Sequence, residues 1–105
     1  MKPIWTEGAI SDWETIARYI AVNFGKMAFD DFDRATDVAE AQIAKFPTSG
    51  TPQPTQRHRI LDLRFVFIGD LSKMIYHIDG ESVVIDVIWD TRQSPKRLTA
   101  RLNQV

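Results

Sequence analysis

The chain has 105 residues, a formal net charge of −1 and a hydrophobic fraction of 44%. This length and composition suit one domain over residues 1–105 with a single core. The absence of cysteine excludes thiol catalysis, disulfide frameworks and cysteine-ligated zinc. No apolar run approaches the roughly 20 residues that would cross a bilayer, so we expect a cytoplasmic protein without a membrane partner.

The two halves of the chain differ in charge. Residues 1–56 carry five basic and eight acidic residues, and residues 57–105 carry eight and six, which gives −3 and +2. After Asp90 the tail holds four basic residues and no acid. A basic end favours nucleic acid or an acidic protein surface as partner, although a solvated tail explains it equally well.

The first 46 residues predict a short strand followed by two helices. Thr6 is a good helix N-cap directly after the apolar pair Ile4 and Trp5. Apolar residues then recur at helical spacing up to Gly25, namely Ile10, Trp13, Ala17, Ile20 and Phe24. A second helix opens near Lys26 with apolar positions Ala28, Phe32, Ala35, Ala39, Ile43 and Phe46. Pro47 ends it. Its exposed arc is acidic, with Asp30, Asp31, Asp33, Asp37 and Glu40. Two helices with so short a linker predict an antiparallel hairpin.

A polar loop over residues 48–56 precedes three β-like runs at 59–68, 73–78 and 82–89. The pairs Gly69-Asp70 and Asp79-Gly80 are hairpin turn signals between them. The sequence therefore predicts an α+β protein of order β-α-α-β-β-β, with the helical hairpin packed on one face of an antiparallel sheet and a basic tail at the end.

Alternation along the runs sorts their side chains into two faces. We expect the apolar set to face the hairpin: Leu61, Leu63, Phe65, Phe67, Met74, Tyr76, Ile78, Val83, Ile85, Val87 and Trp89. The opposite set mixes charges with aliphatic residues: Ile60, Asp62, Arg64, Val66, Lys73, Ile75, His77, Val84, Asp86 and Ile88. This mixed face is the expected partner surface, because apolar patches on an open sheet mark binding sites.

Few residues suggest chemistry. The five glycines stand singly, so no nucleotide cofactor is implied, and the two histidines lie in unrelated surroundings, which argues against a metal site. Strand alternation and strand order are expected to bring the basic residues Arg64, Lys73 and Arg92, together with His77, toward one side of the sheet. There they could stabilise charge on a phosphodiester and move a proton. In the alternative interpretation the strand charges, including Asp62 and Asp86, form ordinary surface ion pairs. The three tryptophans, Trp5, Trp13 and Trp89, are expected to be core anchors.

Several segments together resemble the RelE/ParE toxin superfamily, and most closely its ParE, or plasmid-stabilisation, branch. These segments are Ile4-Trp5-Thr6, Ala9, Asp12 and Tyr19-Ile20 in the first helical region, Phe46-Pro47 after the second helix, residues 73–78, and residues 84–95. The resemblance covers almost the whole chain. It implies the toxin component of a type II toxin–antitoxin system.

The ribonuclease branch of the superfamily, similar to RelE, offers an alternative function as a ribosome-dependent mRNA endonuclease. Its middle-strand arginine falls on Lys73 and its exit arginine on Arg92. The branch's strand lysines fall on Ile60 and Asp62, and its late tyrosine falls on Leu98. These departures argue against RNA cleavage, which needs a positive, proton-transferring site. In that alternative Arg64, Lys73, His77 and Arg92 would be the catalytic residues, with the ribosome and mRNA as partners.

The ParE branch implies a protein that poisons DNA gyrase and needs no catalytic residue or cofactor. It also implies a cognate DNA-binding antitoxin whose partly disordered segment folds onto the toxin. We expect the antitoxin to bind the open face of the sheet through Ile60, Val66, Ile75 and Ile88, with a possible contribution from the acidic arc of the hairpin. A third hypothesis is a non-toxic family member kept for complex formation.

Overall fold

The computed structural model describes residues 1–54 and 62–105, in which a five-stranded sheet is combined with three helices. In chain order the elements are β1 (Lys2–Trp5), α1 (Glu7–Phe24), α2 (Lys26–Lys45), β2 (Thr51–Pro52), β3 (Arg64–Ile68), β4 (Ser72–Asp79), β5 (Ser82–Asp90) and α3 (Pro95–Leu102). The sheet order is β1-β5-β4-β3-β2, with β1 parallel to β5 and the other pairs antiparallel. The predicted α+β fold with a helical hairpin is confirmed.

Local sequence signals set the limits of the hairpin. The Thr6 hydroxyl accepts a hydrogen bond from the backbone N–H of Ala9 at 3.1 Å and caps α1. Gly25 separates α1 from α2 with a φ of 91°, a backbone region that favours glycine. Phe46 caps α2 immediately before Pro47, where the sequence predicted the helix to end.

The face prediction is wrong because of two irregularities in the sheet, the first of which is the turn between β3 and β4. Ile68 pairs with Ser72, so three residues form this turn instead of the two predicted. The additional residue shifts the pairing by one position, which places Val66 opposite Met74. Since paired residues share a face, Val66 and Ile68 lie on the hairpin side and Phe65 lies on the other.

The second irregularity is a β-bulge in β5. Ile75 pairs with Val87, whereas the next residue of β4, Tyr76, pairs with Ile85. Asp86 is therefore the additional residue of the bulge, and the alternation of side chains changes there. Val87 and Trp89 consequently lie away from the hairpin, and Ile88 lies beneath it.

Two apolar clusters result, one on each face of the sheet. The cluster under the hairpin contains Ala9, Ala17, Phe32, Ala39, Ile43, Val66, Ile68, Met74, Tyr76, Val83, Ile85 and Ile88. The cluster on the opposite face contains Leu63, Ile75, Val87, Trp89, Leu98 and Leu102. We call them the hairpin cluster and the α3 cluster. The face that was predicted to be open is thus partly covered by the chain itself.

Helix α3 occupies the segment that was predicted only as a basic tail. The Ser94 hydroxyl accepts from the N–H of Lys96 at 3.2 Å, and Pro95 occupies the first turn, so the helix has a regular start. Leu98 and Leu102 are four residues apart and therefore lie on the same side of α3, where both are buried. The one basic residue between them, Arg101, lies outside the cluster.

Strand β2 lies within the predicted polar loop, and residues 59–61 of the first predicted β-like run lie outside the described residues. None of the described helices is long and apolar enough to cross a membrane.

Candidate functional site

The residues predicted to bind the antitoxin do not form an open surface. Val66 and Ile88 are 7% and 2% exposed beneath the hairpin, and Ile75 is fully buried beneath α3. Ile60 lies outside the described residues. The prediction of their exposure is wrong because the additional turn residue reverses Val66, the bulge reverses Ile88, and α3 covers Ile75. A partner could contact these three side chains only after displacement of a helix.

Arg64 is occupied in holding the segment between α2 and β2. Its guanidinium donates to the carbonyl oxygens of Thr48 and Gly50 at 3.2 and 3.0 Å, and it lies 3.4 Å from the carboxylate of Asp62. The pair with Asp62 agrees with the alternative interpretation of the strand charges as ion pairs. These contacts assign Arg64 a structural role at the sheet edge.

Lys73 and His77 lie on the face that carries α3. The ammonium of Lys73 lies 4.0 Å from the centroid of the Phe65 ring, and its pKa is lowered by burial. His77 donates from Nδ1 to Asp86 Oδ2 over 2.6 Å, and both side chains are largely buried. A histidine with a carboxylate on Nδ1 can transfer protons through Nε2.

Arg92 lies after β5, on the side of the sheet occupied by α1. It binds Asp90 through two nitrogens, with Nε and Nη2 at 3.1 and 2.8 Å from the two carboxylate oxygens. Its guanidinium also lies 5.9 Å from the centroid of the Tyr19 ring. The hydrogen bond from Arg92 holds the pKa of Asp90 below its usual value.

The sequence predicted that the four residues proposed for RNA cleavage share one side of the sheet. The structure instead places them on both sides. In the part of the chain that is described, no hydrogen bond or ion pair connects any two of them. Arg64 and Arg92 each bind a local acceptor, and His77 pairs with Asp86. The prediction of a shared side is wrong because the three-residue turn places Arg64 on the hairpin side.

A polar connection that the sequence did not predict joins α1, β5 and α3. One carboxylate oxygen of Asp12 accepts from the backbone N–H of Ile88 at 3.1 Å and lies 3.2 Å from Arg101 Nη2. Burial raises the pKa of Asp12, although both hydrogen bonds oppose this shift. The guanidinium of Arg101 fits over Gly8, where a Cβ atom would approach it to 2.6 Å. The sequence signal that could have revealed this connection is the apolar spacing of α3, because this spacing determines the side of the helix on which Arg101 lies.

A groove with an aromatic floor runs between the two helices of the hairpin. It encloses about 330 Å³, and its lining residues are Trp5, Ile10, Trp13, Glu14, Asp33, Thr36, Asp37 and Glu40. Trp5 and Trp13 are partly buried at the edge of the hairpin cluster, so they are core anchors on one side and groove walls on the other. The acidic side chains come from the arc that the sequence placed on the exposed side of α2.

Comparisons with known proteins agree with this architecture. The family model of the ParE toxin of type II toxin–antitoxin systems, parDE, matches residues 4–95. Among solved structures, the chain is similar to a chain of the chromosomal ParDE TA system from P. aeruginosa, with a TM-score of 0.69 and 15% identity. That similarity covers 86% of this chain and 95% of the other, and at such low identity it shows a shared fold. No curated protein matches the sequence. Because the family model covers most of the sequence, the chain belongs to the ParE toxin family of type II toxin–antitoxin systems.

Proposed function

We propose that the chain is a cytoplasmic toxin that poisons DNA gyrase by binding it, in a plasmid-stabilisation type of system. Membership of the ParE toxin family supports the toxin role. The separation of Arg64, Lys73, His77 and Arg92 is the observation that favours gyrase over RNA as the target. A ribonuclease needs cations and a proton-transferring group around one phosphodiester.

A cognate DNA-binding antitoxin neutralises the toxin by covering the surface that contacts gyrase. The amount of exposed apolar surface supports a protein partner of this kind. Large hydrophobic side chains are exposed along both helices of the hairpin and around its tip, including Ile10, Tyr19, Val22, Phe24, Met27 and Val38. Contiguous apolar surface on a small protein marks an interaction site.

The target is tested by inducing the chain without its antitoxin in growing bacteria and by adding the purified chain to purified gyrase. We expect filamentation, DNA-damage signalling and loss of supercoiling activity. The 5′ ends of cellular transcripts are mapped in the same cultures, because only a ribonuclease creates new ends. New cuts in the transcripts together with unaffected gyrase activity would show that the target is RNA and not gyrase.

The antitoxin is tested separately, by co-expressing the short DNA-binding protein that we expect to be encoded in a reading frame adjacent to the toxin gene. Restored growth and a stable complex on gel filtration are the expected results. Persistent toxicity in the presence of that protein would contradict neutralisation by it. Normal growth of cells that express the toxin alone would favour the hypothesis of a non-toxic family member.

A further inference from the structure

We propose that the groove between α1 and α2 receives an arginine or lysine side chain from a basic segment of the antitoxin. The inference rests on the proposed neutralisation by an antitoxin and adds the chemistry of the contact. It is carried by three properties of the groove, which are its fixed aromatic floor, its uncompensated negative charge and its exposed apolar edge.

The aromatic floor is held in place before any partner binds. The indole N–H of Trp13 donates to the Thr36 hydroxyl over 2.8 Å, and the indole N–H of Trp5 donates to the carboxylate of Glu40. The Trp13 ring also stacks on Phe32, with centroids 5.6 Å apart and planes 23° apart. Fixed indole faces attract cations, tryptophan more strongly than the other aromatic residues.

The rim of the groove carries negative charge without a matching cation. Glu14, Asp33 and Asp37 line it, and within residues 1–54 and 62–105 none of the three forms an ion pair. Two carboxylates in the first turns of α2 differ, since Asp30 lies 2.6 Å from Lys26 and Asp31 lies 3.4 Å from Arg34. The rim of the groove can therefore form ion pairs with basic side chains of another molecule.

The edge of the groove suits the aliphatic stem of a long basic side chain. Ile10 lines the groove and is 43% exposed. Arginine and lysine place their methylene groups on apolar surface while the charged end remains near polar groups. A groove with apolar walls and an acidic rim thus suits an arginine or lysine side chain better than an acidic or a purely apolar side chain.

The antitoxin is the partner that this charge favours. A DNA-binding protein carries basic residues that contact phosphates, and a disordered segment of it can wrap around a partner. The formal charge of −3 on residues 1–56 attracts such a segment over a longer distance. Binding there also covers the exposed apolar residues of the hairpin, which connects the contact to neutralisation.

The affinity of the purified antitoxin from the adjacent reading frame is measured by calorimetry at two salt concentrations. The test variant is Asp33→Asn combined with Asp37→Asn, which removes two rim charges and preserves size. We expect its Kd to be weaker by about tenfold at low salt, with a smaller salt dependence than the wild type. Equal Kd values and equal salt dependence for this variant and the wild type would overturn the groove assignment but not the proposed neutralisation.

A matched control combines Asp70→Asn with Asp79→Asn and changes the net charge by the same amount. Asp70 lies in the turn between β3 and β4, and Asp79 is the last residue of β4 before the next turn; both are exposed and lie outside the helical hairpin, and asparagine is well tolerated at such positions. We expect wild-type affinity within about twofold. An equal loss in both double variants would mean that only overall charge matters, which overturns the groove assignment. Absence of binding by the wild-type chain would instead overturn the proposed neutralisation, and the inference with it.

The indole N–H signals in NMR spectra report on the location of the partner. Trp5 and Trp13 line the groove, whereas Trp89 belongs to the α3 cluster and serves as an internal reference. Titration with the antitoxin is expected to shift the first two signals more than the third. Loss of gyrase inhibition in the variant Asp33→Asn with Asp37→Asn, with unchanged affinity for the antitoxin, would overturn the assignment in favour of the target.

Discussion

The two faces of the sheet are covered by very different structures. On one face, helices of 18 and 20 residues bury the larger apolar cluster. On the other face, the 8-residue helix α3 covers a smaller cluster with Leu98 and Leu102. An ion pair between Arg101 and Asp12 also connects α3 to the hairpin.

This difference predicts different local stabilities. The hairpin can separate from the sheet only if most of the protein unfolds, because its cluster includes residues from every long element. Helix α3 is short and terminal, so it can detach locally while the hairpin cluster remains intact. The hairpin is therefore the rigid part that presents the proposed groove, and α3 is the weaker cover.

Ile43→Ala is expected to have the largest effect on stability. Ile43 is fully buried in the hairpin cluster, so the substitution removes three methyl or methylene groups and leaves a cavity. We expect the free energy of unfolding to fall by about 3 kcal/mol, measured by urea denaturation with far-UV circular dichroism. Val38→Ala on the exposed side of the same helix is the control, with an expected change within about 0.5 kcal/mol. Similar losses in both variants would contradict the packing described.

Leu102→Ala tests the weaker face. Leu102 is 1% exposed, but the loss of stability cannot exceed the free energy that is needed to detach α3 from the sheet. We expect a loss of about 2 kcal/mol or less, with faster amide hydrogen exchange in α3 and unchanged exchange in α1 and α2. The exposed Arg97→Ala in the same helix is the control. Faster exchange throughout the hairpin would show that the two faces unfold as one unit.

Asp12→Ala breaks the connection between the two faces. The N–H of Ile88 loses its side-chain acceptor and Arg101 loses its carboxylate, so we expect a loss of about 1–3 kcal/mol. Asp12→Asn keeps an acceptor oxygen and is expected to lose less. The pKa of Asp12 is raised on folding, so its protonation favours the folded state. That gain is fully present below the unfolded pKa and is lost as the pH rises through the folded pKa. The Asn variant should lack this part of the pH dependence, and an unchanged profile would contradict the burial of the carboxyl group.

Arg92→Ala is expected to have the smallest effect on stability. The pH dependence of stability that comes from Asp90 has the opposite sign to the one that comes from Asp12. Since the pKa of Asp90 is lowered by Arg92, the stabilisation from Asp90 is present above the unfolded pKa and is lost as the pH falls through the folded value. Removal of the guanidinium should return the pKa of Asp90 towards its usual value, as followed by NMR titration. The exposed Arg97→Ala in α3 is the control and should leave the pKa of Asp90 below its usual value. An unaltered pKa of Asp90 would contradict the two-nitrogen contact.

The helical hairpin was predictable because its signals are local. The cap at Thr6, the break at Gly25 and the end at Pro47 each depend on a few neighbouring residues. Helix α3 was missed although its signals were also local, since Ser94-Pro95 followed by Leu98 and Leu102 is a regular helix start. The basic charge of this segment predicts a solvated tail, whereas the spacing of its two leucines predicts the helix.

The faces of the strands were not predictable from alternation alone. One additional residue in the turn before Ser72 and one at the bulge of Asp86 each reverse which side chains share a face. These two shifts bury Val66 and Ile88 beneath the hairpin, whereas Ile75 lies on the predicted face and is buried there by α3. Arg64 and Arg92 were likewise expected beside Lys73 and His77.

The sequence by itself determined the elements of the hairpin, the antiparallel strands and the resemblance to the ParE toxins, because helix caps, turn residues and apolar spacing act over a few positions. Only the tertiary structure decided which side chains are free to meet a partner. That outcome depends on strand register and on a helix from the far end of the chain, and both are set by packing between residues distant in sequence. The groove with Trp5 and Trp13 illustrates this, since its walls come from β1 and α1 and its acidic rim mainly from α2.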